Sequence, residues 1–97
     1  MIKYRLFKTN QFKRSYKKQK LNDNEELSYI DIVYNLLCGN KLATKYKDHQ
    51  LQGNMQDFRE CHIKPDLLLI YMVDDDSLKL VDIGSHSELF EYNAKIF

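Results

Sequence analysis

The unbroken apolar run Leu67 to Val73 constrains the fold of this chain more than any other segment. A strand with one wet face alternates apolar and polar side chains, so a continuous run describes a strand covered on both faces and central in its sheet. As a helix it is far short of the roughly twenty residues needed to span a bilayer. Turn chemistry brackets it: Lys64-Pro65-Asp66-Leu67 precedes it with Pro in the second turn position, and Asp74-Asp75-Asp76-Ser77 follows. Phe58 to Ile63 upstream and Leu78 to Ile83 downstream, the latter stopped by Gly84, then read as its partners in an antiparallel three-stranded meander.

The first half of the chain has different periods. Ile2, Tyr4 and Leu6 alternate with Lys3 and Arg5, which predicts a strand at 2–7 with one face on a core. Thr9 or Asn10 can cap a helix from about residue 11, with Phe12 and Tyr16 one turn apart and Lys13, Lys17 and Lys20 on its exposed side. Asn22, Asp23 and Asn24 offer a second cap, followed by Glu25 and Glu26 in the first turn. Leu27, Ile30, Val33 or Tyr34, and Leu37 then recur at helical spacing up to Gly39, predicting an amphipathic helix over 24–38. Two helices joined by a polar turn form a hairpin on one face of the sheet, with the basic helix as its outer member. The expected fold class is α+β: an N-terminal strand, a two-helix hairpin and an antiparallel meander, with the helices packed on one face of a small sheet. A length of 97 residues suits a single domain spanning 1–97, with 91–97 as an unplaced tail.

A net charge of +1 conceals a division. Residues 1–20 hold eight Lys or Arg and no acid, leaving seven basic and fourteen acidic residues for the remainder. A cationic arm on a domain points to a polyanionic partner; a solvated helix face explains the same charges more plainly. No apolar segment follows the basic start, so a cytoplasmic location is expected. Cys38 and Cys61 lack CxxC spacing and read as reduced packing residues. The surroundings of Gly53 are too glycine-poor for a phosphate cradle, and no serine has the flanking glycines of a nucleophile elbow.

The chemistry concentrates in three histidines at the edges of the expected sheet: His49 before the second strand, His62 near the end of Phe58 to Ile63, and His86 just past the last strand. Alternation puts Phe58, Glu60 and His62 on one face, and Arg59, Cys61 and Ile63 on the other. Imidazole titrates near pH 6.5, so one histidine can accept a 2′-hydroxyl proton while another group protonates a leaving 5′-oxygen, which is what RNA cleavage without a metal requires. Lys47 and Arg59 are cations close in sequence. A divalent ion held by His49, His62 and His86 with Asp66 or Glu60 is the competing arrangement, although HxxxH and HExxH patterns are missing. Any one of these histidines is, on spacing alone, more often structural than catalytic. By position alone Phe90 reads as a packing residue.

Taken together, Tyr46-Lys47-Asp48-His49 with Leu51 and Gly53, then Phe58-Arg59-Glu60-Cys61-His62-Ile63-Lys64-Pro65-Asp66 and the strand after it, then Gly84-Ser85-His86-Ser87-Glu88-Leu89-Phe90, strongly resemble the YafQ branch of the RelE/ParE toxin superfamily. The likeness is close over 46–90 and one of pattern over 1–45. It implies a RelE-like fold and a toxin of a type II toxin-antitoxin pair that cuts mRNA in the ribosomal A site and is inhibited by a cognate antitoxin. It also implies that operator DNA is met only through the antitoxin complex, and that no cofactor or metal is needed. On that pattern His49, His62, Asp66 and His86 match acid, base and phosphate-handling positions, with His86 the leading acid or base and Asp66 the orienting carboxylate. Glu60 stands where Asp is common, and Phe90 matches an aromatic near the RNA. Lys47, Arg59 and the helix lysines Lys13 and Lys17 would grip RNA phosphates.

Two departures bear on that expectation. Alternation turns Arg59 away from Glu60 and His62, which leaves a bulge, a contact with rRNA, or a structural role. The tail Glu91 to Phe97 runs past the usual end of the family pattern and could cover part of the site. A catalytically weak, antitoxin-binding and autoregulatory module, or a gyrase-directed toxin of the ParE kind, are the alternatives.

Overall fold

The computed structural model describes residues 1–89, so Phe90 and the tail 91–97 lie outside the described residues. Seven elements follow in order: β1 (Arg5–Lys8), α1 (Asn10–Gln19), α2 (Asp23–Leu37), β2 (His49–Gln50), β3 (Arg59–Lys64), β4 (Leu67–Asp74) and β5 (Ser77–Gly84), with single 3₁₀ turns at Thr44–Tyr46 and Gly53–Met55. They form one mixed five-stranded sheet in the order β1-β5-β4-β3-β2. β1 runs parallel to β5, and all other pairs are antiparallel.

The meander forms as expected, and β4 lies between β3 and β5 with Leu67 to Tyr71 buried. Its odd-numbered side chains, Leu67, Leu69 and Tyr71, join the main core under the helices with Phe12, Tyr29, Ile32, Cys61, Leu78 and Leu80. Its even-numbered Leu68 and Ile70 pack on the other face with Leu89, Leu51 and Phe58. Burial on both faces is why the run carries no polar residue. Cys38 and Cys61 are buried free thiols.

Both helix caps follow from local chemistry. Thr9 Oγ1 accepts the amide of Phe12 at 3.0 Å and donates to the carbonyl of Val81 at 2.8 Å, so the residue that starts α1 also ties it to β5. Asn22 and Glu25 form a reciprocal capping box at the start of α2.

Four expectations are corrected. The first strand occupies Arg5–Lys8 rather than 2–7, because the amides of Lys3 and Tyr4 donate to the carbonyl of Leu37, an orphan acceptor at the end of α2. Its alternation does not face a core: Leu6 is exposed on this edge strand, Ile2 is exposed ahead of it, and Tyr4 alone of the three packs inward. The basic helix is not the outer member of a hairpin, since α1 packs directly on β5 with Phe12 1% exposed, while α2 lies over β3. Finally, α2 buries Tyr29, Ile32, Val33 and Leu36 and leaves Leu27, Ile30 and Tyr34 exposed. Both sets have helical spacing. Packing of Phe12, stacked, and Tyr16, tilted, on Tyr29, with ring centroids 6.3 and 5.1 Å away, turns the first set inward.

Among the described residues no helix is long and apolar enough to cross a membrane.

Candidate functional site

The site is built on the sheet face opposite the helices. On β3, Cys61 and Ile63 enter the helix-side core, which leaves Glu60 and His62 on the other face, as alternation requires. β2 is two residues long, and its register sets His49 directly across from Glu60. The turn from β3 to β4 supplies Asp66, and the helical turn following β5 begins with His86.

Each outer histidine is held by one ring nitrogen. His49 Nδ1 lies 2.7 Å from the carbonyl oxygen of Lys47, which can only accept, so Nδ1 carries the proton and Nε2 is left for other work. His86 Nδ1 donates to Asp66 Oδ1 at 2.7 Å, and the same oxygen accepts the backbone amide of His86 at 3.0 Å. That backbone hydrogen bond, joined by the one from the ring, holds the Asp66 carboxyl below the usual carboxylate range, so it is ionised and acceptor-only at neutral pH. His49 Nε2 lies 3.7 Å from Glu60 Oε1, and His62 Nε2 lies 3.9 Å from the same oxygen. The His62 ring sits between the others, 6.3 Å from His49 and 5.7 Å from His86 by centroid.

His62 differs electrostatically from an ordinary imidazole. Burial lowers its pKa most; the charges of His86, Lys47 and His49 lower it further, and only Glu60 raises it. His62 is therefore neutral at neutral pH, the state a proton acceptor needs. Lys47 is exposed and has a left-handed backbone with φ of 51°, an uncommon conformation for a residue with a side chain. It turns the chain from the 3₁₀ turn into β2 and presents the carbonyl that anchors His49.

Of the residues singled out by sequence, His49, Glu60, His62, Asp66 and His86 come together, with Lys47 beside them. Arg59 does not join them. It lies on the helix-side face, where its guanidinium donates to Asp48 at 3.2 and 3.3 Å and to the Tyr71 hydroxyl at 3.3 Å, and no bulge redirects it. The register shift between β3 and β4 falls further along, between His62 and Lys64. Lys13 and Lys17 are exposed on α1, in the helix layer across the sheet, and also stand apart from the histidines. Phe90 is outside the described residues.

Two supports escaped the sequence reading. Asp48 accepts from both Arg59 and Tyr71 on one face while its neighbour His49 serves the other, so this pair of residues pins β2 from behind. Ser85 and Glu88 cap the last helical turn reciprocally: the Ser85 amide donates to Glu88 Oε1 at 2.8 Å, and the Glu88 amide donates to Ser85 Oγ at 3.2 Å. That S-x-x-E spacing was visible in the sequence, and it fixes the backbone that carries His86. Gly84 leaves room for it, since a Cβ there would meet Glu88 Oε1 at 3.1 Å.

Residues 4–91 match the family model described as a bacterial toxin of type II toxin-antitoxin systems, YafQ. The chain belongs to the YafQ family. The mRNA interferase toxin YafQ of Escherichia coli K12 is 35% identical over 69 residues, covering 69% of this chain and 75% of that protein. A copper-bound mutant toxin from Helicobacter pylori is 40% identical with a TM-score of 0.83, over 93% of this chain and all of that one. YafQ in the E. coli DinJ-YafQ toxin-antitoxin complex is 31% identical with a TM-score of 0.77, over 92% of this chain and 99% of that one. The YafQ likeness thus covers the whole sheet and the histidine face.

Proposed function

We propose that this YafQ-family toxin is an endoribonuclease that cuts mRNA on the ribosome and is held inactive by a cognate antitoxin in the cytoplasm. The observation that carries the reading is the arrangement of His49, His62 and His86 on one face, with both outer rings anchored through Nδ1 and their Nε2 atoms left to act. The activity named for the E. coli relative and the antitoxin bound in the E. coli complex agree with it.

In this mechanism neutral His62 takes the proton of the RNA 2′-hydroxyl, whose oxygen attacks the adjacent phosphorus. The P–O5′ bond breaks, a doubly protonated His86 gives its Nε2 proton to the leaving oxygen and keeps its Nδ1 proton on Asp66, and a 2′,3′-cyclic phosphate results. Asp66 orients the His86 ring, much as the acid of a catalytic triad orients its histidine. His49 and Lys47 face the charge that accumulates on the non-bridging oxygens. Glu60, between His49 and His62, orients both.

Mapping mRNA ends after induced expression in a host lacking the antitoxin tests this. Cuts are expected with the wild type and not with His86→Ala at equal protein level. Cuts by both at the same rate would remove His86 from the chemistry.

One observation favours a second use of the same groups. Glu60, His62 and His86 each offer a ligand atom, all within 4.8 Å of one another, and the similar Helicobacter toxin is copper-bound. Imidazole and carboxylate suit zinc or copper. An ion there would occupy the lone pairs that proton transfer needs, so it would act as an inhibitor.

A further inference from the structure

Beside His62 a cavity of about 280 Å³ opens toward the helix layer, lined by Ser28, Lys45, Tyr46, Lys47, Ile63, Lys64 and Pro65 as well as His62 itself. Three elements meet there: the start of α2, the 3₁₀ turn with the residue following it, and the end of β3 with its turn. The register shift between His62 and Lys64 marks where β3 departs from regular pairing at this point.

The lining has a consistent chemistry. Lys45, Lys47 and Lys64 contribute three ammonium groups, and no carboxylate is among the residues that form the wall. Ile63 and Pro65 add apolar surface. Lys45 Nζ sits over the Tyr46 ring, 5.1 Å from its centroid, which holds one cation at the rim. Lys64 is ion-paired with Glu25 on α2, so a phosphate entering the cavity competes with that carboxylate for its ammonium. Lys47 also faces the histidine cluster, where, after burial, it is one of the charges that lower the pKa of His62.

We propose that this cavity binds the nucleotide next to the scissile phosphate of the RNA, with Lys45 and Lys64 on its phosphate and the base against Pro65 and Ile63. The inference rests on the nuclease reading and extends it by a subsite. The volume suits one nucleotide unit, being at the small end of ligand pockets. Because the cavity shares His62 with the histidine cluster, a strand whose reacting phosphate lies among the histidines reaches it by passing round β3 beside His62, where β2 no longer pairs with β3. Lysine pairs with phosphate as a point charge, and single-stranded RNA is commonly held by a cationic groove with surfaces for its bases.

The test uses the full chain and a short RNA with every 2′-hydroxyl methylated, which binds without being cut. Backbone amide shifts at Ser28, Lys45 and Lys64 are expected together with those at His62. The double variant Lys45→Ala/Lys64→Ala is expected to bind more weakly, with a slope of log affinity against log salt smaller by about 0.7 for each lysine–phosphate pair removed. Glu25→Gln separates binding from structure: it breaks the Lys64 ion pair yet keeps the lysine, so it should retain the affinity that the double variant loses. An unchanged slope in the double variant, shifts confined to the histidines, or no binding would each overturn the subsite. So would inorganic phosphate reproducing all the shifts with equal affinity, which would indicate a free-anion site. Cleavage by the wild type on ribosomes is scored separately, so failure of the nuclease reading is distinguishable from failure of this one.

Discussion

Tyr71→Phe removes one oxygen atom from the helix side of the sheet and is expected to impair a site on the other side. Tyr71 is 1% exposed, and its hydroxyl donates to the Asp48 carboxylate that also receives Arg59. Burial and that carboxylate push the phenol pKa up, so it stays a donor across the working range. A hydrogen bond to a charged acceptor contributes about 1.5–3 kcal/mol, and Asp48 keeps its Arg59 hydrogen bonds in the variant, so the lower part of that range applies. A loss of about 1.5–2 kcal/mol corresponds to a fall in Tm of roughly 6–16 °C for a domain of this size. The Arg59–Asp48 ion pair, with the Arg59 side chain 42% exposed, is screened by solvent, so Arg59→Ala is expected to cost no more, about 1 kcal/mol. Urea unfolding measures both. Cleavage assays on Tyr71→Phe, Asp48→Asn, Arg59→Ala and their pairs complete the test. If Arg59 acts only by holding Asp48, and through it His49, the rate losses of Arg59→Ala and Asp48→Asn will not add. Additive losses, or a Tyr71→Phe protein within about 0.5 kcal/mol of wild type, would refute the anchoring role.

The remaining predictions concern protons and metal. Because burial holds His62 below the ordinary imidazole value, the acid limb of kcat/KM should lie below about pH 6.5. Glu60→Gln removes the carboxylate that raises His62 and should move the limb to lower pH. Lys47→Ala removes a cation that lowers it and should move the limb upward; shifts of the same sign would exclude His62 as the base. The lowered value also means that the unfolded chain binds more protons there, so stability should decline as pH falls from the ordinary imidazole value toward the lowered one. Zinc or copper should suppress cleavage reversibly, with EDTA restoring it, and Glu60→Gln should weaken the inhibition; cleavage unaffected by bound metal would remove the inhibitory reading.

Legibility in the sequence tracked how local the deciding physics was. The meander and the sharing of a face by Glu60 and His62 follow from the two-residue period of any strand and from turn residues such as Pro65 and Asp66, so they could be read directly. The α2 face could not. Its sequence carries two interleaved stripes, Tyr29-Ile32-Val33-Leu36 and Leu27-Ile30-Tyr34, and packing against α1, which periodicity does not encode, chooses between them. β1 misled for a similar reason, since its alternation is real but the helices cover the strands beside it and leave Leu6 on an edge. β2 was invisible because two residues have no period; only the pairing of His49 with Glu60 and of Gln50 with Arg59 defines it.

The split between the faces of β3 explains why Arg59 was hard to assign. A cation next to Glu60 and near His62 invites a phosphate-binding role, yet its odd spacing from both sends it to the other side of the strand. There it meets Asp48, which precedes His49 in the chain and points the opposite way. A two-residue strand has too few ladder hydrogen bonds to hold a histidine at fixed geometry unaided. The buried Tyr71 hydroxyl and the Arg59 guanidinium supply the missing constraint through Asp48, while the Lys47 carbonyl fixes the ring itself. The same arrangement recurs at His86, where Ser85 and Glu88 fix the backbone and Asp66 fixes the ring. Both outer histidines thus sit at the ends of short elements and are each held twice, once by backbone and once through Nδ1, whereas His62, within a long paired strand, relies on β3 alone. Loss of any one of these polar contacts should therefore weaken catalysis without unfolding the sheet, because the core of β3, β4 and β5 is made by apolar side chains and by the ring of Tyr71 rather than its hydroxyl.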